Sequence, residues 1–74
     1  MERQSVNSSM IRSWAFDEGN GVLELEFTNG RIYQYEDVPA FLAKGFGLAT
    51  SKGQYFSSRI DGRFRGEEVH PRTP

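Results

Sequence analysis

Hydrophobic and polar residues alternate most cleanly over Leu23-Glu24-Leu25-Glu26-Phe27, the period-two signature of a strand with one face buried and the other in water. Asn29-Gly30 then turns the chain, and Arg31-Ile32-Tyr33-Gln34-Tyr35 must return antiparallel across so short a connection. Another strand precedes this pair, from about Met10 to Phe16, joined to it by the hairpin loop Asp17-Glu18-Gly19-Asn20-Gly21. The alternation therefore predicts three strands in a meander.

The turn decides which way the tyrosines point, because a one-residue slip moves every side chain of a strand to the opposite face. A two-residue turn at Asn29-Gly30 pairs Phe27 with Ile32 and leaves Tyr33 and Tyr35 on the wet face beside Glu26 and Glu24. A three-residue turn, with Gly30 left-handed in a bulge, pairs Leu25 with Tyr33 and Leu23 with Tyr35 and sends both rings to the core. The second is favoured, since a small domain can hardly leave two large aromatics out of its core, but both turns fit the residues.

After Tyr35 the period changes from two to about 3.6, with Val38, Phe41, Leu42 and Phe46 falling on one side of a short helix. Asp37 or Val38 is expected to cap it, with Pro39 in the first turn and Gly45 or Gly47 ending it. A second helix follows. Ser51-Lys52-Gly53-Gln54 fits an S-x-x-Q capping box, Phe56 and Ile60 share a face, and Gly62 stops it. Residues 66–74 have no periodic apolar set and are expected to form a mobile tail. The fold class is α+β: a three-stranded antiparallel sheet with two short helices on one face, one domain over residues 1–65.

Composition narrows the chemistry more than it names a function. At 74 residues the chain holds one small domain, and with no Cys it has no disulfide, thiolate metal site or Cys nucleophile. No signal peptide or long apolar run is visible, so a soluble cytoplasmic protein is expected, with no membrane partner. The net charge of −1 hides an uneven distribution. Residues 1–43 hold three basic and seven acidic groups, a balance of −4, whereas residues 44–74 hold six basic and three acidic groups, a balance of +3.

Catalytic groups are scarce. His70 sits beside Pro71 in the expected tail, Glu24 and Glu26 look like solvated face residues, and the loop after Asp17 lacks the order and length of a calcium loop. The stretch 45–53 fails as a phosphate-binding loop, because Ser51 precedes Lys52, Lys52 precedes Gly53, and a helix comes before the loop. No enzyme activity, cofactor or metal is expected. The stronger lead is the second helix: Lys52 and Arg59, seven apart, flanked by Tyr55 and Phe56 and followed by Arg63 and Arg65. Cations interleaved with aromatic edges grip a nucleic-acid backbone and stack bases. The ordinary alternative is a solvated basic surface whose stems cover apolar edges.

Several of these elements together resemble the KTSC domain, found at the C-terminus of some lysyl-tRNA synthetases and as a stand-alone protein. The likeness runs from Val6 to Phe64: Ser8-Ser9 with Ile11, Leu25 and Phe27, Asn29-Gly30, the central Tyr33-Gln34-Tyr35 matching the family's Y-x-Y, Val38-Pro39, and Ser51-Lys52-Gly53 before Tyr55-Phe56 and Ile60. Asp61 and Ser57-Ser58 depart from a more basic or Asn-containing stretch in the family, which lowers the local positive charge that RNA would meet. The resemblance implies no catalytic residues; it implies RNA as a partner, through the synthetase context. A protein partner at a sheet edge or an apolar or tyrosine patch is the alternative, and the oligomeric state is left open.

Overall fold

The structure, a computed structural model, describes residues 3–5 and 8–69. The strands are β1 (Arg3–Ser5), β2 (Ile11–Asp17), β3 (Val22–Phe27), β4 (Ile32–Tyr35) and β5 (Gly66–Val69). Between β4 and β5 lie α1 (Ala40–Leu48) and α2 (Lys52–Tyr55), the latter running directly into a π turn at Phe56–Ile60. All five strands form one antiparallel sheet in the order β1-β2-β3-β4-β5. The three expected strands are its centre. The two edge strands carry Arg-Gln-Ser and Gly-Glu-Glu-Val, polar sequences that suit an exposed edge and give no apolar period. The segment expected as a tail is thus a strand over Gly66–Val69, while residues 70–74 lie outside the described residues.

The turn after β3 is the three-residue one. Gly30 has φ 91°, its N–H donates to the Phe27 carbonyl (2.9 Å), and the Phe27 N–H donates to the Arg31 carbonyl (2.8 Å). Leu25 consequently faces Tyr33 and Leu23 faces Tyr35. A second irregularity lies between β2 and β3, where Ile11 pairs with Phe27 but Ser13 with Glu26. The extra residue, Arg12, restores the alternation so that Ile11 and Trp14, three apart, share a face with Leu25 and Phe27.

That face and the helices enclose a core of Ile11, Leu23, Leu25, Tyr35, Val38, Ala43, Phe46, Phe56 and Ile60. Four aromatic contacts knit it: Trp14 edge-on to Phe46 at 5.3 Å, Phe56 edge-on to Phe27 at 5.3 Å and to Tyr35 at 5.7 Å, and Tyr33 edge-on to Phe27 at 5.8 Å. Three expectations for α1 need correction. The helix runs through Gly45 and Gly47 to Leu48 instead of ending at either. Pro39 itself is the N-cap, its carbonyl accepting from the Leu42 and Ala43 N–H groups, and neither Asp37 nor Val38 caps the helix. Phe41 is 73% exposed rather than core. Five positions separate it from the buried Phe46, which places the two about 140° apart around the helix axis.

The opposite face of the sheet is polar but less open than the alternation suggested. Arg3 on β1 ion-pairs with Glu24 and donates to Ser13 Oγ (2.7 Å), Ser13 Oγ donates to Glu26 (2.7 Å), and Gln34 donates to Glu24 (2.8 Å). Glu24 is therefore buried between the Arg3 and Gln34 side chains instead of being a solvated face residue. No helix among the described residues is long and apolar enough to cross a membrane.

Candidate nucleic-acid interface

The second helical segment does not present its basic residues as one stripe. It begins as expected, with Ser51 Oγ accepting from the Gln54 N–H (3.3 Å), but the Asp61 N–H reaches back five residues to the Phe56 carbonyl (2.8 Å), the hydrogen bond of a π turn. The wider turn changes the side-chain period between Lys52 and Arg59, and the two line separate cavities. Phe56 and Ile60, both buried, anchor the segment to the core.

Lys52 is engaged by α1. Its ammonium donates to the carbonyls of Gly47 (3.1 Å) and Ala49 (2.7 Å) and lies 5.8 Å from the Phe46 ring centre. A cation closing the last carbonyls of a helix meets both their unpaired lone pairs and the negative end of the dipole. Tyr55 is likewise occupied. Its hydroxyl donates to the Leu42 carbonyl (2.9 Å), its ring stands edge-on to Phe46 (5.9 Å), and the Arg59 guanidinium lies 5.7 Å over it. The ring is a brace between the helical segments and not a free platform for a base. Tyr33 and Tyr35 stack at 6.4 Å; Tyr35 is buried, Tyr33 half-buried, and neither offers an exposed tyrosine patch.

Arg59 and Arg63 do come together. With Phe41, Leu42, Ser58 and Phe64 they line a shallow groove of about 440 Å³ that has no acidic side chain among its described lining residues. Arg63 is steadied by its Nε donating to the Ser58 carbonyl (3.0 Å). Among the described residues the ion pairs are Arg3–Glu24, Arg12–Glu26 and Arg31–Glu68, all on the sheet and its turns, and neither groove arginine takes part in one. Arg65 is exposed but does not line the groove; its carbonyl accepts from the Glu36 N–H (3.1 Å) at the end of β4. The groove's exposed aromatic is Phe41, which the periodicity placed in the core. The signal that marks it is the spacing: Phe41 lies about 140° from Phe46 and joins the apolar set only through Val38, which precedes the helix.

A family model of the KTSC domain matches residues 7–64. The chain belongs to the KTSC domain family. A crystal structure of a KTSC domain protein from Yersinia pestis superposes with a TM-score of 0.88 at 38% identity, covering 93% of this chain and 97% of that one. An uncharacterized protein of Stutzerimonas stutzeri is 37% identical over 57 residues, covering 77% of this chain and 80% of that protein. The lysine–tRNA ligase of a Nostoc species is 38% identical over 61 residues, 82% of this chain but only 11% of the enzyme. The KTSC domain thus spans a small fraction of the synthetases it matches and nearly the whole of its shorter relatives.

Proposed function

We propose that this KTSC domain is a non-enzymatic module that binds single-stranded RNA at the groove of Phe41, Arg59 and Arg63. The observation that carries the reading is the exposed Phe41 ring beside two arginines that no acid in the groove neutralises. Guanidinium groups grip successive phosphates while an exposed ring stacks an unpaired base. The similarity to a segment of lysine–tRNA ligases supports the same partner class. Titration of labelled single-stranded and hairpin RNA at low salt is the test. Binding tighter than about 10⁻⁴ M that weakens steeply with salt, and falls at least about tenfold in an Arg59→Glu, Arg63→Glu variant, supports it. Weaker binding, or binding indifferent to the double charge reversal, refutes it.

One observation favours a protein partner instead. Leu48, 81% exposed and seven positions from Phe41, extends an apolar edge along α1. Affinity capture with and without nuclease separates the readings: a partner that survives nuclease and is lost in Leu48→Ser favours protein docking.

A further inference from the structure

Two stretches that the RNA groove leaves unused meet on the other side of the helices. Ser8 and Ser9, before β2, and Thr50, Ser51 and Lys52, after α1, line a cavity of about 620 Å³ with Trp14 as a wall. That is the size range of small-molecule sites. Three of its polar groups, Ser8, Ser51 and Lys52, are left to donate. Ser8 Oγ already accepts from the Met10 (3.2 Å) and Ile11 (3.4 Å) N–H groups, and Ser51 Oγ from the Gln54 N–H, which leaves each hydroxyl hydrogen to donate. Lys52 has spent two of its three N–H bonds on carbonyls and keeps one. Among the described residues that line it there is no carboxylate. Gly47 lets α1 approach the indole, since a Cβ there would stand 2.9 Å from Trp14 Cζ2, so the half-buried ring forms a firm wall.

A donor-rich rim with one fixed positive charge selects an acceptor-rich anion, and an aromatic wall selects a planar ring. We infer that this cavity binds a phosphate monoester carrying a planar base, its phosphate at Lys52, Ser8 and Ser51 and its ring against Trp14. The ligand chemistry is that of a nucleoside 5′-monophosphate, free or at the end of an RNA. The inference does not rest on the RNA groove, because the two cavities share no lining residue.

Trp14 is the chain's one tryptophan, so its fluorescence reports from the cavity wall. Titration with AMP is expected to give a saturable change with a Kd below about 1 mM, at least about tenfold weaker for adenosine and for ribose 5-phosphate. Lys52→Met loosens α1 as well, so the deciding variants are Ser9→Asp and Thr50→Asp. Both positions are exposed, and each variant should weaken AMP about tenfold or more while leaving the urea midpoint unchanged. Arg59→Glu, Arg63→Glu should leave the AMP response intact whatever it does to RNA. A 5′-phosphorylated trinucleotide that outbinds both AMP and its 5′-hydroxyl form identifies the RNA end as the source; preference for AMP identifies the free nucleotide. No saturable response up to about 5 mM AMP, equal binding of adenosine or ribose 5-phosphate, or indifference to Thr50→Asp overturns the inference.

Discussion

The Tyr55 hydroxyl donates to the Leu42 carbonyl across 2.9 Å, which ties the second helical segment to the first. The tie needs Gly45. A Cβ at that position would stand 2.4 Å from the Tyr55 oxygen and 3.1 Å from Cζ, so any larger residue displaces the ring. Gly45→Ala should therefore destabilise the fold by about 1–3 kcal/mol despite its better helix propensity, and Tyr55→Phe by about 0.5–1.5 kcal/mol. In urea melts, Gly45→Ala combined with Tyr55→Leu should cost less than the two singles added, because the smaller side chain vacates the contested space.

Lys52 stands out in the sequence for its charge, and its geometry gives it a structural task. With both contacts to the carbonyls of Gly47 and Ala49, Lys52→Met should lower stability by about 1.5–3 kcal/mol, the range for hydrogen bonds to a charged group. Arg59→Met, exposed and only resting on Tyr55, should move the midpoint by less than about 1 kcal/mol. Equal effects of the two substitutions on the denaturation midpoint would remove Lys52 from the role of helix closure.

The centre of the fold was legible because its constraints agree. Glycine at position 30, the alternation on β3 and the need to bury two tyrosines all select one register, the one observed. The edges were not, because Arg3–Ser5 and Gly66–Val69 are held by backbone pairing and ion pairs, which leave no hydrophobic period to read. At the candidate interface the charge pattern points to Arg59 and Arg63, while their companion Phe41 joins an apolar set only with Val38, which lies before the helix. The roles of Lys52 and Tyr55 depend on carbonyls three to thirteen residues away, contacts that residue type and spacing do not announce.

Tyr35 gives the fold an alkaline limit. Burial against Phe56 and Leu23, with the charges of Asp61 and Tyr33 adding to it, pushes its phenol up from 10.0 to about 12. The folded state favours the neutral form, so this contribution is complete below pH 10 and is lost as pH rises from about 10 to 12. It amounts to something on the order of 2 kcal/mol. Phenolate absorbance should show one tyrosine titrating late, and Tyr35→Phe should flatten the stability profile across that window. A late-titrating tyrosine that persists in Tyr35→Phe would assign the shift elsewhere.

Phe41 separates binding from folding. At 73% exposure its truncation to Ala should change stability by less than about 0.5 kcal/mol, while a stacked base would lose about 1–3 kcal/mol of affinity. The paired measurement is a urea melt and an RNA titration on the same variant. A large loss of stability would show the ring to be packing after all, and an unchanged RNA affinity would leave Arg59 and Arg63 as unassisted phosphate contacts.

The family match ends at Phe64, yet β5 begins at Gly66 and completes the pairing of β4 through Ile32–Val69, Tyr33–Glu68, Gln34–Glu67 and Tyr35–Gly66. Gly66 lies directly on the tyrosine, since a Cβ there would meet Tyr35 Cε1 at 2.4 Å. A chain ending at Arg65 uncovers one side of Tyr35 and leaves β4 as an unprotected edge. In a domain whose core supplies only about 3–5 kcal/mol, those losses should leave much of the chain unfolded at 25 °C. Gly66→Ala should reproduce part of the effect with every strand present, by pushing the backbone off the ring. Amide NMR dispersion and thermal melts measure both variants. If the shortened chain melts with the full-length protein, the folding unit ends where the family match does, and β5 is an addition to the sheet that carries little of its stability.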